Sequence, residues 1–147
     1  MKSTKRLGIV AVAVVAMSVF GGSRSARAGD DDLLIIANKS TNQSSASRAE
    51  LRAYFLKKRT SWKSGGRVIP VNAPEGSRLR EAFLRKVLQM TASEESEYWK
   101  NEGIRRGVEK PAEISNTLKA VYHLRGSVSY VFRKDYKGGV VRILASF

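Results

Sequence analysis

The sequence predicts an α/β fold, a small mainly parallel sheet flanked by helices, and three observations predict it. Leu33 to Ala37 (LLIIA) is apolar without alternation, the pattern of a strand covered on both faces. Arg67 to Gln89 reads as an apolar strand (Val68, Ile69, Val71), a turn from Asn72 to Gly76 and a helix opening at Ser77. Along the chain the order is strand, helix, strand, three helices, two strands. Strands separated by helices imply a mainly parallel sheet with helices packed on it.

Each element has a local reason, once the first 28 residues are set apart. Lys2, Lys5 and Arg6 form a positive n-region, and Leu7 to Phe20 is an apolar run of 14 residues. Ala26-Arg27-Ala28 then reads as a cleavage site, so residues 1–28 are expected to be a signal peptide and 29–147 a single exported lobe. The competing reading of the leader is an uncleaved N-terminal anchor. The chain has no Cys, which excludes a lipid-modified N-terminus and any disulfide. The expected address is the periplasm, with no integral membrane segment after cleavage.

After the frayed Gly29-Asp30-Asp31-Asp32 and the first strand, Asn38 to Ala46 (NKSTNQSSA) is a loop dense in hydroxyls and amides. Such a loop can donate to an anion; its commoner role is a solvated connection. Ser47-Arg48-Ala49-Glu50 is a capping box and starts a helix whose apolar face carries Leu51, Tyr54 and Phe55. Trp62 is expected in the core, and Ser64-Gly65-Gly66 is a turn. In the Ser77 helix, Leu79, Phe83, Val87 and Met90 share a face, while Arg78, Arg80, Arg85 and Lys86 fall mainly on others. Thr91-Ala92-Ser93-Glu94 opens the next helix, with Glu94, Glu95 and Glu97 where the dipole favours them. Asn101 to Lys110 reads as a loop, and Pro111 as the first residue of a helix ending before Gly126. Ser127 to Phe132 and Val140 to Leu144 read as the last strands, around a turn at Gly138-Gly139.

Chemistry is narrowed by composition. The leader holds five of the 27 basic residues and no acid, leaving 22 basic against 13 acidic residues, an excess of nine. That excess attracts anions of any kind. An exported chain without an aromatic-interleaved basic stripe is not expected to bind nucleic acid. His123 stands alone, and no nucleophile elbow or Walker-type loop is present. No cofactor, metal or enzymatic activity is expected. What stands out is the helix start at Ser77, since a glycine-preceded helix N-terminus offers free N–H groups to an oxyanion. The same pattern is also an ordinary βα connection with a Ser cap.

A family likeness runs from Leu33 to Leu144. It is carried by Asn38-Lys39-Ser40, Ser47-Arg48-Ala49-Glu50-Leu51, Phe55-Leu56 and Lys58-Arg59-Thr60-Ser61-Trp62. It continues through Val68-Ile69-Pro70-Val71-Asn72, Glu75-Gly76-Ser77, Arg80-Glu81-Ala82-Phe83, Tyr98-Trp99 and Gly126-Ser127-Val128-Ser129-Tyr130-Val131. On these pieces the chain resembles the phosphate-type substrate-binding proteins of ABC transporters. The resemblance implies one lobe of a type 2 periplasmic binding protein, linked to phosphate uptake through an ABC permease. In that family an Arg precedes a Ser-Gly-Thr at this helix start and donates to the oxyanion. Here those positions hold Ala73, Ser77, Arg78 and Leu79, so one of the side-chain donors is kept. The expected ligand set for a phosphate-like oxyanion is Ser77, Gly76, Arg78 and Asn72, with Ser40, Ser44 and Ser45 from the hydroxyl-rich loop. The alternative is an interaction or sensory module that keeps the lobe without the ligand clamp, with an envelope protein as partner.

Overall fold

A computed structural model describes Gly29 and residues 31–147; the leader expected over residues 1–28 lies outside them. The strands are β1 (Leu33–Ala37), β2 (Ile69–Asn72), β3 (Ala112–Glu113), β4 (Ser127–Phe132) and β5 (Arg142–Ser146). The helices are α1 (Arg48–Phe55), α2 (Arg78–Phe83), α3 (Ala92–Arg106) and α4 (Thr117–His123). A π-helical segment, Leu84–Leu88, continues α2 and ends at Gln89 in the left-handed region. Among the described residues no helix is long and apolar enough to cross a membrane.

One sheet runs β3-β2-β4-β1-β5. The α/β class is as expected, but the sheet is mixed. β2 is parallel to β3 and β4, whereas β1 is antiparallel to both β4 and β5. The unbroken apolar run of β1 shows that both of its faces are covered; it carries no information about direction.

This reversal fixes the geography of the molecule. Leu33 lies opposite Phe132 and Ala37 opposite Val128, so β1 leaves the sheet near the point where β4 begins. Ile69 lies beside Ser127, so β2 also begins there and leaves at the other end. The loop after β1 and the turn after β2 therefore emerge from opposite ends of the sheet.

Alternation along β1 divides the core. Leu33, Ile35 and Ala37 join α1, α2 and the π segment around Phe55, Phe83 and Tyr130. Phe83 stacks on Tyr130 at 3.9 Å and tilts against Phe55 at 4.5 Å between ring centroids. Leu34 and Ile36 face the opposite way, against Val121 of α4, Val131 and Val141. Central β4 is buried along its whole length.

Other boundaries moved for local reasons. Both capping boxes form, at Ser47/Glu50 and Thr91/Glu94. α3 runs through the expected loop to Arg106 and stops at Gly107 in a left-handed cap, because one exposed-side glycine, Gly103, weakens a helix without ending it. Pro111 does not open a helix. Ala112–Glu113 instead pairs with Val71 and Asn72, and α4 starts later, with the Asn116 side chain accepting from Lys119 N. The last strand sits two residues further on than expected, at Arg142–Ser146.

Candidate functional site

β2 delivers the chain to a tight turn at Pro74–Gly76, where Gly76 takes φ 78°, a value that suits glycine. Ser77 closes the turn and caps α2. Its N–H donates to Pro74 O (3.1 Å), its carbonyl accepts from Glu81 N (3.0 Å), and its Oγ accepts from Arg80 N (3.2 Å). The hydroxyl proton goes to Pro74 O at 2.7 Å. Ser77 is thus spent on holding the turn. Gly76 and Arg78 beside it are exposed. Among the described residues the N–H groups of Arg78 and Leu79 have no acceptor. The Arg78 guanidinium lies 3.4 Å from Asp31 and 5.8 Å from the centre of the Phe132 ring. Both members of that ion pair are solvent-exposed, so it contributes little, about 0–1 kcal/mol, and opens readily. Gly76, Arg78, Arg85, Lys86, Asp31 and Phe132 border a cavity of about 260 Å³.

Beneath the turn lies a charge expected off the apolar face of its helix. Arg80 is buried. It donates to Ala73 O at 2.9 Å, pairs with Glu95 Oε1 at 2.7 Å and lies 3.6 Å from Glu113. Ala73 is the position at which the resemblance places an arginine, and the Arg80 guanidinium reaches the backbone of that residue from the next helix. Its charge is already matched by α3 and β3. The Tyr130 hydroxyl completes the network, accepting from Ala73 N (3.0 Å) and donating to Asn72 Oδ1 (3.1 Å). Burial pushes this phenol well above its ordinary range, so it stays a neutral donor. Next to Arg80 a cavity of about 80 Å³, bordered also by Glu95, Ser96 and Trp99, has room for ordered water.

A signal for this latch was present in the sequence. Arg80, Phe83, Leu84 and Val87 share the i, i+3, i+4, i+7 stripe, as do Glu95, Tyr98, Trp99 and Glu102. Two charges of opposite sign on the apolar stripes of consecutive helices mark a buried pair.

The expected ligand set is divided by the fold. Gly76, Ser77 and Arg78 stay together at the turn. Asn72 is buried, its Oδ1 held by Tyr130 and its carbonyl by Ile114 N. Ser40 follows β1 directly and lies at the other end of the sheet, whereas the loop then turns back along β5, where Ala46 N bonds Leu144 O, and carries Ser44 and Ser45 with it. Ser40 Oγ accepts from Gly126 N at 3.1 Å, and Ser44 and Ser45 are exposed. Ser40 cannot join Ser77 around one ion, because β1 runs antiparallel to β4 while β2 runs parallel to it. His123 is exposed, with its ring edge-on to Tyr122 at 4.8 Å. Among the described residues no three His, Asp or Glu side chains are grouped to hold a metal ion.

No family model matches the chain. No curated protein matches it in sequence either. Solved structures do match in fold. One is a protein assigned as a phosphate ABC transporter substrate-binding protein, with bound phosphate, from Clostridium perfringens: TM-score 0.59, 19% identity, 78% of this chain and 44% of that one. A second is an ABC-type phosphate transport receptor from Vibrio cholerae, at TM-score 0.58 and 17% identity, over 78% of this chain and 45% of that one. A third is PstS from Borrelia burgdorferi, at TM-score 0.57 and 14% identity, over 78% and 47%. The likeness establishes a shared fold. The chain spans less than half the length of these neighbours.

Proposed function

We propose that this chain is a binding-protein-like module that recognises a small oxyanion of phosphate type at the outer edge of the turn between β2 and α2. The observation that carries the reading is the cavity where Gly76 and Arg78 meet Arg85 and Lys86, three cations against the carboxylates of Asp31 and Glu81. Arg78 supplies an exposed guanidinium, and the free amides of Arg78 and Leu79 supply donors of fixed direction. The solved neighbours named for phosphate lend the reading its ligand class. Export to the periplasm and delivery of the anion to an ABC permease complete the proposed role. The leader motif supports the first and the resemblance supports the second.

Thermal unfolding with phosphate, sulfate and chloride at matched ionic strength tests it, since a ligand of the folded state raises Tm with concentration. Phosphate is expected to raise Tm beyond chloride, and Arg78→Ala to abolish the difference. Ser77→Ala is expected to lower stability in the absence of ligand by about 0.5–2 kcal/mol, the usual worth of a cap. Equal responses to phosphate and chloride would contradict the reading.

A second reading is favoured by one observation. The buried Arg80 is closed by Glu95 and Glu113, leaving the turn without an inward-facing cation. On that reading the lobe serves as an interaction or sensory module with an envelope partner. Recovery of a stoichiometric partner complex whose stability ignores phosphate would support it over the first.

A further inference from the structure

We propose a second anion site at the opposite end of the sheet, one that takes a phosphate group between the loop after β1, the Trp62–Arg67 turn and the entry to β4. A cavity of about 250 Å³ lies there, bordered by Ser40, Trp62, Gly66, Arg67, Arg125 and Gly126. No carboxylate lines it. Among the described residues neither the Arg67 nor the Arg125 side chain has an ion-pair or hydrogen-bond partner, whereas Arg78, Arg80, Arg106 and Arg133 each meet an Asp or Glu. Two like charges on one concave surface, with no counter-charge, set up a positive potential that an anion relieves.

The walls are built to hold those groups. Gly126 has φ 79°, and a Cβ there would lie 2.5 Å from Arg67 O. The bare backbone is what lets the β4 entry close on the Arg67 carbonyl. Trp62 is buried, and its indole Nε1 donates to Gly126 O at 3.1 Å, fixing the ring as one wall. Ser40 Oγ accepts from Gly126 N, which leaves its proton free to donate. Two planar guanidinium forks and a hydroxyl match the several acceptors of a tetrahedral dianion; a halide offers them a single point charge. Ser40, the start of the hydroxyl-rich loop, thus acquires a role at the entry to β4.

The test is a titration of the purified protein followed by amide and indole NMR. Inorganic phosphate is one arm, and phosphatidylcholine vesicles containing phosphatidic acid are the other. Inorganic phosphate is expected to move the Trp62 indole N–H and Gly126 N–H resonances saturably, with chloride at matched ionic strength leaving them in place. Arg67→Ala/Arg125→Ala is expected to weaken that response at least tenfold. Lys100→Ala/Arg105→Ala, which removes the same charge from α3, is expected to keep it within twofold. A response to vesicles alone would assign the phosphate group to a lipid headgroup, and a response to the free ion to a soluble ligand. The proposal is overturned if neither arm moves these resonances, if chloride moves them equally, or if the Arg67/Arg125 variant titrates like the parent. The β2–α2 turn reports through its own Gly76 and Arg78 amides, so either site can fail without the other.

Discussion

Both ends of the sheet carry cations and use them differently. At the end where β2 emerges, Arg80 is buried against Glu95 and Glu113, Arg78 leans on Asp31, and Arg133 meets Asp32. At the end where β2 enters, the Arg67 and Arg125 side chains stand, among the described residues, without partners around a glycine-walled cavity. At the first end the buried Arg80 holds α2, α3 and β3 together, leaving the rim for a ligand. The second keeps its charge available. Position in the fold and availability of charge are therefore separate properties, and a likeness in fold informs only the first.

The largest expected effect breaks the first end. Arg80→Ala leaves Glu95 buried without its partner, and the loss of one member of a buried pair costs about 3–5 kcal/mol. Urea unfolding measures it, and a loss below about 1 kcal/mol would mean that the pair is solvated. Replacing both residues, as Arg80→Met/Glu95→Leu, is expected to cost clearly less than Arg80→Ala, since no charge is then stranded.

Tyr130→Phe comes next. It strips Ala73 N of its acceptor and Asn72 Oδ1 of its donor, an expected loss of about 1–3 kcal/mol for buried polar groups left unpaired. The phenol is held neutral in the fold by burial, so its ionisation lies higher there than in the unfolded chain. Its contribution is thus fully present below about pH 10 and is lost as pH rises beyond the ordinary tyrosine value. Stability measured between pH 8 and 11 should fall more steeply in the parent than in Tyr130→Phe; parallel curves would contradict the assignment.

Gly126→Ala addresses the second end. The added methyl meets the Arg67 carbonyl and forces a non-glycine residue to φ 79°, at an expected cost of about 1–3 kcal/mol. Chemical denaturation reads the loss, and loss of the Trp62 indole shift with phosphate should accompany it.

The smallest effect sharpens the contrast. Glu50 is the carboxylate paired with Lys63, which lies on the turn beside Arg67. Its hydrogen bond from Lys63, helped by the Ser47 N–H, holds its ionisation below the usual carboxylate value. Its contribution is present above about pH 4.5 and is lost as pH falls through the lower, folded value. Glu50→Gln should cost about 1 kcal/mol or less at neutral pH, because Lys63 is mostly exposed. It should also flatten the acid limb of the stability profile; an unchanged acid limb would sink the assignment.

Local rules written in the sequence were readable where they involve a few neighbouring residues. The capping boxes at Ser47 and Thr91, the Ser77 cap and the apolar faces of Tyr54, Phe55 and Phe83 all follow from spacing of three or four residues. Strand direction was not readable, because β1 pairs with β4 and β5 across roughly a hundred residues and an apolar run looks the same both ways. That one unknown divided the expected site: Ser40 went to the far end, while Gly76, Ser77 and Arg78 stayed together at the turn. The Arg80–Glu95 latch was legible in principle, since each charge lies on an apolar stripe, but a charge on a helix invites a solvent-facing assignment. Arg67 and Arg125 carried no local mark, because the absence of a partner is a property of the folded surroundings.

A phosphate titration resolved residue by residue, with 15N-labelled protein, tests the oxyanion reading most directly. Saturable shifts confined to Gly76, Arg78 and Leu79 at one end, with a separate saturable set at Trp62 and Gly126 at the other, are the expected result. Small shifts spread evenly over the basic surface, matched by chloride at the same ionic strength, would contradict it.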